Sequence, residues 1–415
     1  MAQKESMLPY RVLDLCDEKG IFCGRILADL GSDVIKVEKP GTDSTLRQGP
    51  FYHDSPNSEK SLFWLAYNAN KRSVTLDIER TEGKEILKRL IKKADVVLES
   101  FPPGYMKDLG LGYEDLLEVN PQLVMTSISS FGQSGPYHDF KANDLTLWCL
   151  GGMAYVSGDP DRAPLQVSFP QSYLHGAAAA AAATLIALYY REVTGEGQWI
   201  DVSIQEAVVH TLMNVIQFWD VSGIVLKRSG VLRTGLSTAA NQRLIWHCKD
   251  GYVNFPIYAT VAGAQSNAKL VRWMESEGIR DEYLSSIQWE EFDLSTASQE
   301  QFDRVEGSIG RFFKSHTMDE LYRGAMDRGM MLYPVYGAKE IREDPQLKAR
   351  GFWSHVDHPE FGEVTFFPGS PFVFSGRRQG IHRVPLIGEH NGDIFCTELG
   401  MTEEELVNLK KAGVI

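Results

Sequence analysis

Leu165-Gln-Val-Ser-Phe-Pro-Gln-Ser-Tyr-Leu-His-Gly176, then seven alanines at 177–183, then Thr184-Leu-Ile-Ala-Leu188, is the stretch on which the fold of this chain turns. A strand-like run feeds a tight helix entrance. The alanines let the helix that follows, expected over 176–192, lie close against its neighbours. Upstream, short apolar runs alternate with helical patterns. Val12–Leu15, Val34–Val37, Ser73–Leu76, Val96–Leu98 and Val124–Ser127 read as buried strands. Ser61–Tyr67, Glu82–Lys93 and Tyr113–Val119 read as the helices between them. Such alternation predicts a parallel sheet covered on both faces. Downstream, Gln205–Val221 reads as one more long helix. From about 225 the pattern changes: Leu244–His247 and Tyr252–Ile257, joined through Lys249-Asp250-Gly251, predict a β-hairpin. Helical stretches at 264–277 and 300–314 follow, which suits a smaller α+β domain.

The composition sets bounds. With 415 residues, 43% hydrophobic and 23% charged, the chain is long enough for two domains with cores of their own. A net charge of −13 argues against a nucleic-acid partner, which needs a net basic face. A polyanionic small ligand would have to be met by a local Lys/Arg cluster. The five cysteines, Cys16, Cys23, Cys149, Cys248 and Cys396, are odd in number and have no metal-ligand spacing, so reduced thiols in a cytoplasmic protein are expected. The first residues lack the apolar segment of a secretion signal, and the alanine run is too mildly apolar and too short to cross a bilayer. No membrane association is expected.

Eleven motifs, in order, carry a resemblance. They begin with Arg11-Val-Leu-Asp-Leu15, the run Leu27–Lys39, Asn70-Lys-Arg-Ser73, Ala94–Phe101 and Leu109–Leu116. Phe131-Gly-Gln-Ser-Gly-Pro136 and Gly195–Val202 follow, and the end holds Glu343-Asp-Pro-Gln346, Arg350-Gly-Phe352, His358-Pro359 and Pro385–His390. Together they resemble the class III CoA-transferases, the formyl-CoA and carnitine-CoA transferase family that also includes methylacyl-CoA racemases. The resemblance covers nearly the whole chain. It implies an α/β fold with a Rossmann-like parallel-sheet large domain over 1–222, a smaller α+β domain over 223–334, and a return segment, 335–415, completing the large domain. It also implies an interlocked dimer, in which each chain threads the ring made by the other.

In that family an aspartate three to five residues before the glycine at Gly176 attacks the acyl-CoA thioester and later carries CoA as an enzyme thioester. Here the corresponding positions are Gln171, Ser172 and Tyr173, and none is a carboxylate. A hydroxyl at Ser172 or Tyr173 is not ionised near pH 7 and is a poor substitute. The plainer role for these residues is capping and packing of the helix. His175, Asp17 and Glu18 are the remaining candidates for a replacement group, beside Asp144, which matches the family's acid ahead of Gly151-Gly152. Asp17 and Glu18 read equally as loop charges or as partners of Lys19 and Arg25.

The resemblance further implies that Lys39 and Arg47 face the 3′-phosphate and pyrophosphate of CoA, that Leu76 and Phe101 line the adenine pocket, and that Lys107 and Lys141 reach phosphate. Against these, Asp108 and Glu79 stand where relatives carry basic residues, and Ser100 replaces an asparagine. An acid among phosphates opposes their binding. The loop Asp17–Phe22 replaces the short Ala-Gly-Pro segment of relatives.

Loss of the nucleophile, of a phosphate-binding arginine and of the thioester loop within an intact scaffold resembles the aspartate-lacking subunit of heteromeric family members such as those acting on benzylsuccinate in anaerobic aromatic degradation. The expected function is the non-nucleophilic subunit of an enzyme that moves CoA from succinyl-CoA to an aryl- or alkylsuccinate, paired with a homologous subunit bearing the aspartate. CoA and acyl-CoA are expected as substrates, with no metal or redox cofactor. A stand-alone transferase or racemase with a variant catalytic group, and a non-enzymic acyl-CoA-binding protein, are the alternatives.

Overall fold

In the computed structural model, residues 8–41, 49–54, 61–233, 240–258, 260–359 and 363–415 are described. They divide into two compact units, one of residues 1–153, 166–223 and 345–415, the other of residues 154–165 and 224–344. Residues 154–165, expected with the first unit, pack with the second, whose far boundary falls at 344 rather than 334.

The first unit is built on a six-stranded parallel sheet: β1 (Arg11–Asp14), β2 (Asp33–Glu38), β3 (Lys71–Thr75), β4 (Val96–Glu99), β5 (Val124–Ser129) and β6 (Trp199–Ser203). The strand order is β3-β2-β1-β4-β5-β6, that of a doubly wound Rossmann sheet. The order reverses between β1 and β4. Apolar residues of the strands point to both faces because both faces are covered. Leu13, Ile35, Val74 and Val97 face a core with Ile86, Leu87 and Leu90 of the helix Thr81–Ile91. Val12, Val34, Val96 and Val124 face the opposite core, with Cys23 and Leu27 of α1 (Ile21–Asp29) and the alanines of the helix Ser172–Thr194.

That last helix starts four residues earlier than the alanine pattern alone indicates. The alanines do bring it close. Thr184 Oγ1 lies 2.8 Å from Thr126 Oγ1 of β5, and a Cβ at Gly176 would fall 2.7 Å from Ile204 Cγ1. Among the described residues it is the one helix long and apolar enough to cross a membrane, yet Ala177, Ala180, Ala181, Thr184 and Leu188 are buried in the core. The expected strand before it does not form. Residues 165–171 hold no strand and expose Leu165, Val167 and Phe169. Pro164 and Pro170 flank the run and cannot donate to a ladder. The helix expected over Gln205–Val221 is two, Ile204–His210 and Met213–Ser222, separated where the Thr211 and Leu212 amides bond to carbonyls three residues back, Val208 at 3.1 Å and Val209 at 2.8 Å.

The chain returns to this sheet at its end. The Gly388 amide donates to Ser73 Oγ, the His390 amide to the Ser73 carbonyl, and the Thr75 amide to Asn391 Oδ1, so Pro385–His390 docks on β3. In the second unit the Asp-Gly hairpin forms as an antiparallel pair, Ile245–His247 with Tyr252–Asn254, extended by Tyr333–Pro334. Its core is aromatic, with Trp246, Phe255, Phe302, Phe312 and Phe313 under the helices Val261–Ser276 and Gln299–Ser315.

Candidate functional site

Ligands of doubly wound sheets bind beyond the carboxyl ends of the strands where the order reverses. A cleft of about 150 Å³ lies there. Leu15–Asp17 enter it after β1, Lys36–Lys39 from β2, Leu76–Glu79 after β3, and Phe101 with Tyr105 after β4. The cleft therefore brings together Lys39, Leu76 and Phe101 of the residues singled out in the sequence, with Asp17 and Glu79. Arg47 lies outside the described residues. Lys107 is exposed and borders a different cavity, of about 500 Å³, with Glu99, Ser127 and Trp199. Lys141 is exposed and borders neither.

Within the cleft the charges are engaged with one another. Lys39 Nζ lies 2.5 Å from Glu79 Oε2 and 3.6 Å from Asp77 Oδ1. The Tyr105 hydroxyl donates to Glu79 Oε1 at 2.7 Å, and the Tyr105 ring stacks on Phe101 at 4.7 Å. The hydrogen bonds from Lys39 and then Tyr105 hold the Glu79 carboxyl below its ordinary range. Desolvation and then Glu79 push the Tyr105 hydroxyl up to about 12. Lys36 is buried and donates to the Cys16 carbonyl at 2.5 Å.

The first loop is fixed from below and from the side. Lys71 and Asp14 form an ion pair of 2.8 Å whose side chains are fully buried, and Lys71 Nζ also donates to the Ile21 carbonyl at 3.0 Å. Asp14 Oδ1 accepts from the Cys16 amide. Gly24 is required above this pair, because a Cβ there would collide with the Asp14 carboxylate. Asp17 is tied to Ser100, whose hydroxyl accepts from the Asp17 amide at 2.8 Å and donates to its carboxylate at 2.7 Å. Lys19 adds its amide and an ion pair to the same carboxylate. Arg25 pairs with Asp29 rather than with Asp17 or Glu18.

At the helix entrance Ser172 is fully buried and its hydroxyl donates to the Asp144 carbonyl at 3.0 Å. Asp144 Oδ1 accepts from the Tyr173 amide at 3.1 Å, so this buried carboxylate serves as the helix cap. Burial first, then the charges of Glu18, Asp17 and Asp144, drive the Tyr173 hydroxyl far above its ordinary range. The carboxylates of the first loop and Asp144 thus all oppose ionisation of the Tyr173 phenol. Neither hydroxyl is activated as a nucleophile. His175 is half-buried on the first turn of the same helix.

One titratable group stands out that sequence reasoning passed over. Glu99, the last residue of β4, is 4% exposed, and burial raises its carboxyl to about 7 against hydrogen bonds from Ser127 and the Phe101 amide. Its only sequence signal is a carboxylate closing an apolar run. In the unfolded chain this group ionises near 4.5. Between 4.5 and 7 the folded state keeps a proton that the unfolded state has released, so stability falls as the pH rises through that window. The loss is on the order of 3 kcal/mol once both states are ionised. Urea denaturation of the chain and of Glu99→Gln at pH 5 and pH 8 checks this, with the expectation that the substitution removes this part of the pH dependence.

A doubly wound sheet with a cleft at its switch point, lined by an aromatic pair and a lysine, defines the class as an α/β protein whose cleft lies where such sheets take their ligands. The profile of CoA-transferase family III matches residues 9–391, and the chain belongs to that family. It is 34% identical over 412 residues to the succinyl-CoA:(R)-benzylsuccinate CoA-transferase subunit BbsE of Thauera aromatica, covering 98% of this chain and 97% of that one. To the succinyl-CoA–D-citramalate CoA-transferase of Chloroflexus aurantiacus it is 31% identical, covering 95% and 94%. To the formyl-CoA:oxalate CoA-transferase of Streptomyces avermitilis it is 32% identical, covering 98% of each. Among solved structures, a CaiB/BaiF family protein from Brucella suis matches with a TM-score of 0.80 and 28% identity, over 95% of this chain and all of that one.

Proposed function

We propose that this chain is the non-nucleophilic subunit of a heteromeric, cytoplasmic CoA-transferase that moves CoA from succinyl-CoA to a carboxylic acid of the aryl- or alkylsuccinate kind. The observation that carries it is the helix entrance. Where the family's chemistry needs an exposed carboxylate, Ser172 is buried on the Asp144 carbonyl and Asp144 is committed to the Tyr173 amide. The likeness to a relative named as a transferase subunit supports the same reading. In the paired enzyme the sister chain supplies the aspartate that takes the acyl group, while this chain contributes scaffold and surface for the CoA thioesters.

The first unit is also unfinished on its own. Ile186, Tyr189 and Val193 share one face of the helix Ser172–Thr194 and are 69–73% exposed, and Trp219 of Met213–Ser222 is 63% exposed. An apolar stripe of that width on a long helix calls for cover, and a homologous subunit in an interlocked dimer would supply it. Native mass spectrometry of the untagged protein from its own host tests the proposal, which requires a second chain of about the same mass in the complex.

A further inference from the structure

Among the described residues, the cleft at the switch point has a charge balance that does not suit a phosphorylated ligand. Asp17, Glu38, Asp77 and Glu79 line it against Lys36 and Lys39, four carboxylates to two ammonium groups. Lys36 is buried and bonded to the Cys16 carbonyl, which among the described lining residues leaves Lys39 as the cation at the surface. Lys39 is held by Glu79 at 2.5 Å and braced by Asp77, while Glu79 is held a second time by the Tyr105 hydroxyl. The Tyr105 ring lies against Phe101, so the three residues form a strap from the end of β2, past β3, to the aromatic wall after β4.

We infer that Glu79 is a specificity-determining residue of this cleft: it occupies Lys39 in place of a ligand phosphate and makes the cleft select against polyanionic ligands. This rests on the reading that CoA thioesters are the ligands of the chain. The 3′-phosphate and diphosphate of CoA must compete with the Glu79 carboxylate for the same ammonium group and then tolerate that carboxylate nearby. A ligand without phosphates meets neither obstacle. Each close like-charge contact costs about a factor of ten or more in binding at moderate screening. The pair itself adds little to the stability of the fold, because both side chains are more than 40% exposed. Variants at these positions are therefore expected to fold normally.

Isothermal titration of the full chain at low salt, with CoA and with pantetheine as probes, tests the inference. In Glu79→Gln the affinity for CoA is expected to rise about tenfold, to fall off more steeply with salt than in the native chain, and pantetheine binding is expected to change less than twofold. In Glu79→Gln combined with Lys39→Gln the gain is expected to vanish, because it acts through the released lysine. An unchanged CoA affinity in Glu79→Gln overturns the inference. So does an equal gain for pantetheine, a gain that survives loss of Lys39, or no binding of either probe by any variant. The subunit reading stands or falls separately, on the composition of the native complex, which no substitution at Glu79 addresses.

Discussion

Ser172→Asp is expected to lower the stability of the chain by about 3–5 kcal/mol and to give no CoA transfer by this chain alone. The substitution restores a carboxylate at the helix entrance, but the surroundings are wrong for it. Ser172 is fully buried, and its hydroxyl donates to the Asp144 carbonyl. A carboxylate there cannot make that bond, and it would sit beside the buried Asp144 side chain already held by the Tyr173 amide. The charges of Asp17 and Glu18, both of the same sign, already act on the neighbouring Tyr173. A buried charge placed beside like charges is among the costliest single changes a fold can carry. Chemical denaturation reads the stability, and exchange of labelled succinate into succinyl-CoA reads the activity. Native-like stability together with rapid exchange would show that only the aspartate is missing.

Lys71→Met is expected to cost a comparable amount, about 3–5 kcal/mol, for the opposite reason. It leaves Asp14, whose side chain is fully buried, without its cation, and it removes the donor to the Ile21 carbonyl that anchors the end of the first loop. Burial lowers the pKa of Lys71, with the Asp14 charge pulling back towards the ordinary value. The ammonium is thus tolerated there because of its partner. Asp14→Asn combined with Lys71→Met is expected to recover a large part of the loss, since no uncompensated charge then remains buried. Denaturation midpoints of the two variants decide it. A single substitution within about 0.5 kcal/mol of the native chain would mean that the pair does not hold the loop.

The parts of the fold legible in the sequence are those whose environment writes a continuous pattern. β1, β2, β4 and β5 lie inside the sheet and carry apolar runs of Val, Ile, Leu and Met, interrupted only by buried polar residues such as Lys36 and Thr126. β6 escapes the same reading because Trp199 and Asp201 are exposed and the run alternates, as befits a sheet edge. The break at Thr211 is invisible to periodicity, since the backbone tightens for one turn while the apolar pattern continues. In the site, the absence of a carboxylate at 171–173 is plain from the sequence, and Lys39, Leu76 and Phe101 do meet in one cleft. The ties that give the site its character are not plain. Lys39 meets Glu79 forty residues away and Lys71 meets Asp14 fifty-seven away, and no local spacing encodes either pair. Only the strand order brings them together.

On the proposed function, this chain lacks its own catalytic nucleophile and works beside a sister subunit. Native mass spectrometry of the protein isolated untagged from its host addresses it most directly. The expected result is a complex in which this chain is paired with a second, homologous chain of about the same mass, bearing an aspartate at the position equivalent to 171–173, with transfer activity present in the complex and absent from this chain alone. A complex made solely of this chain that transfers CoA would contradict it.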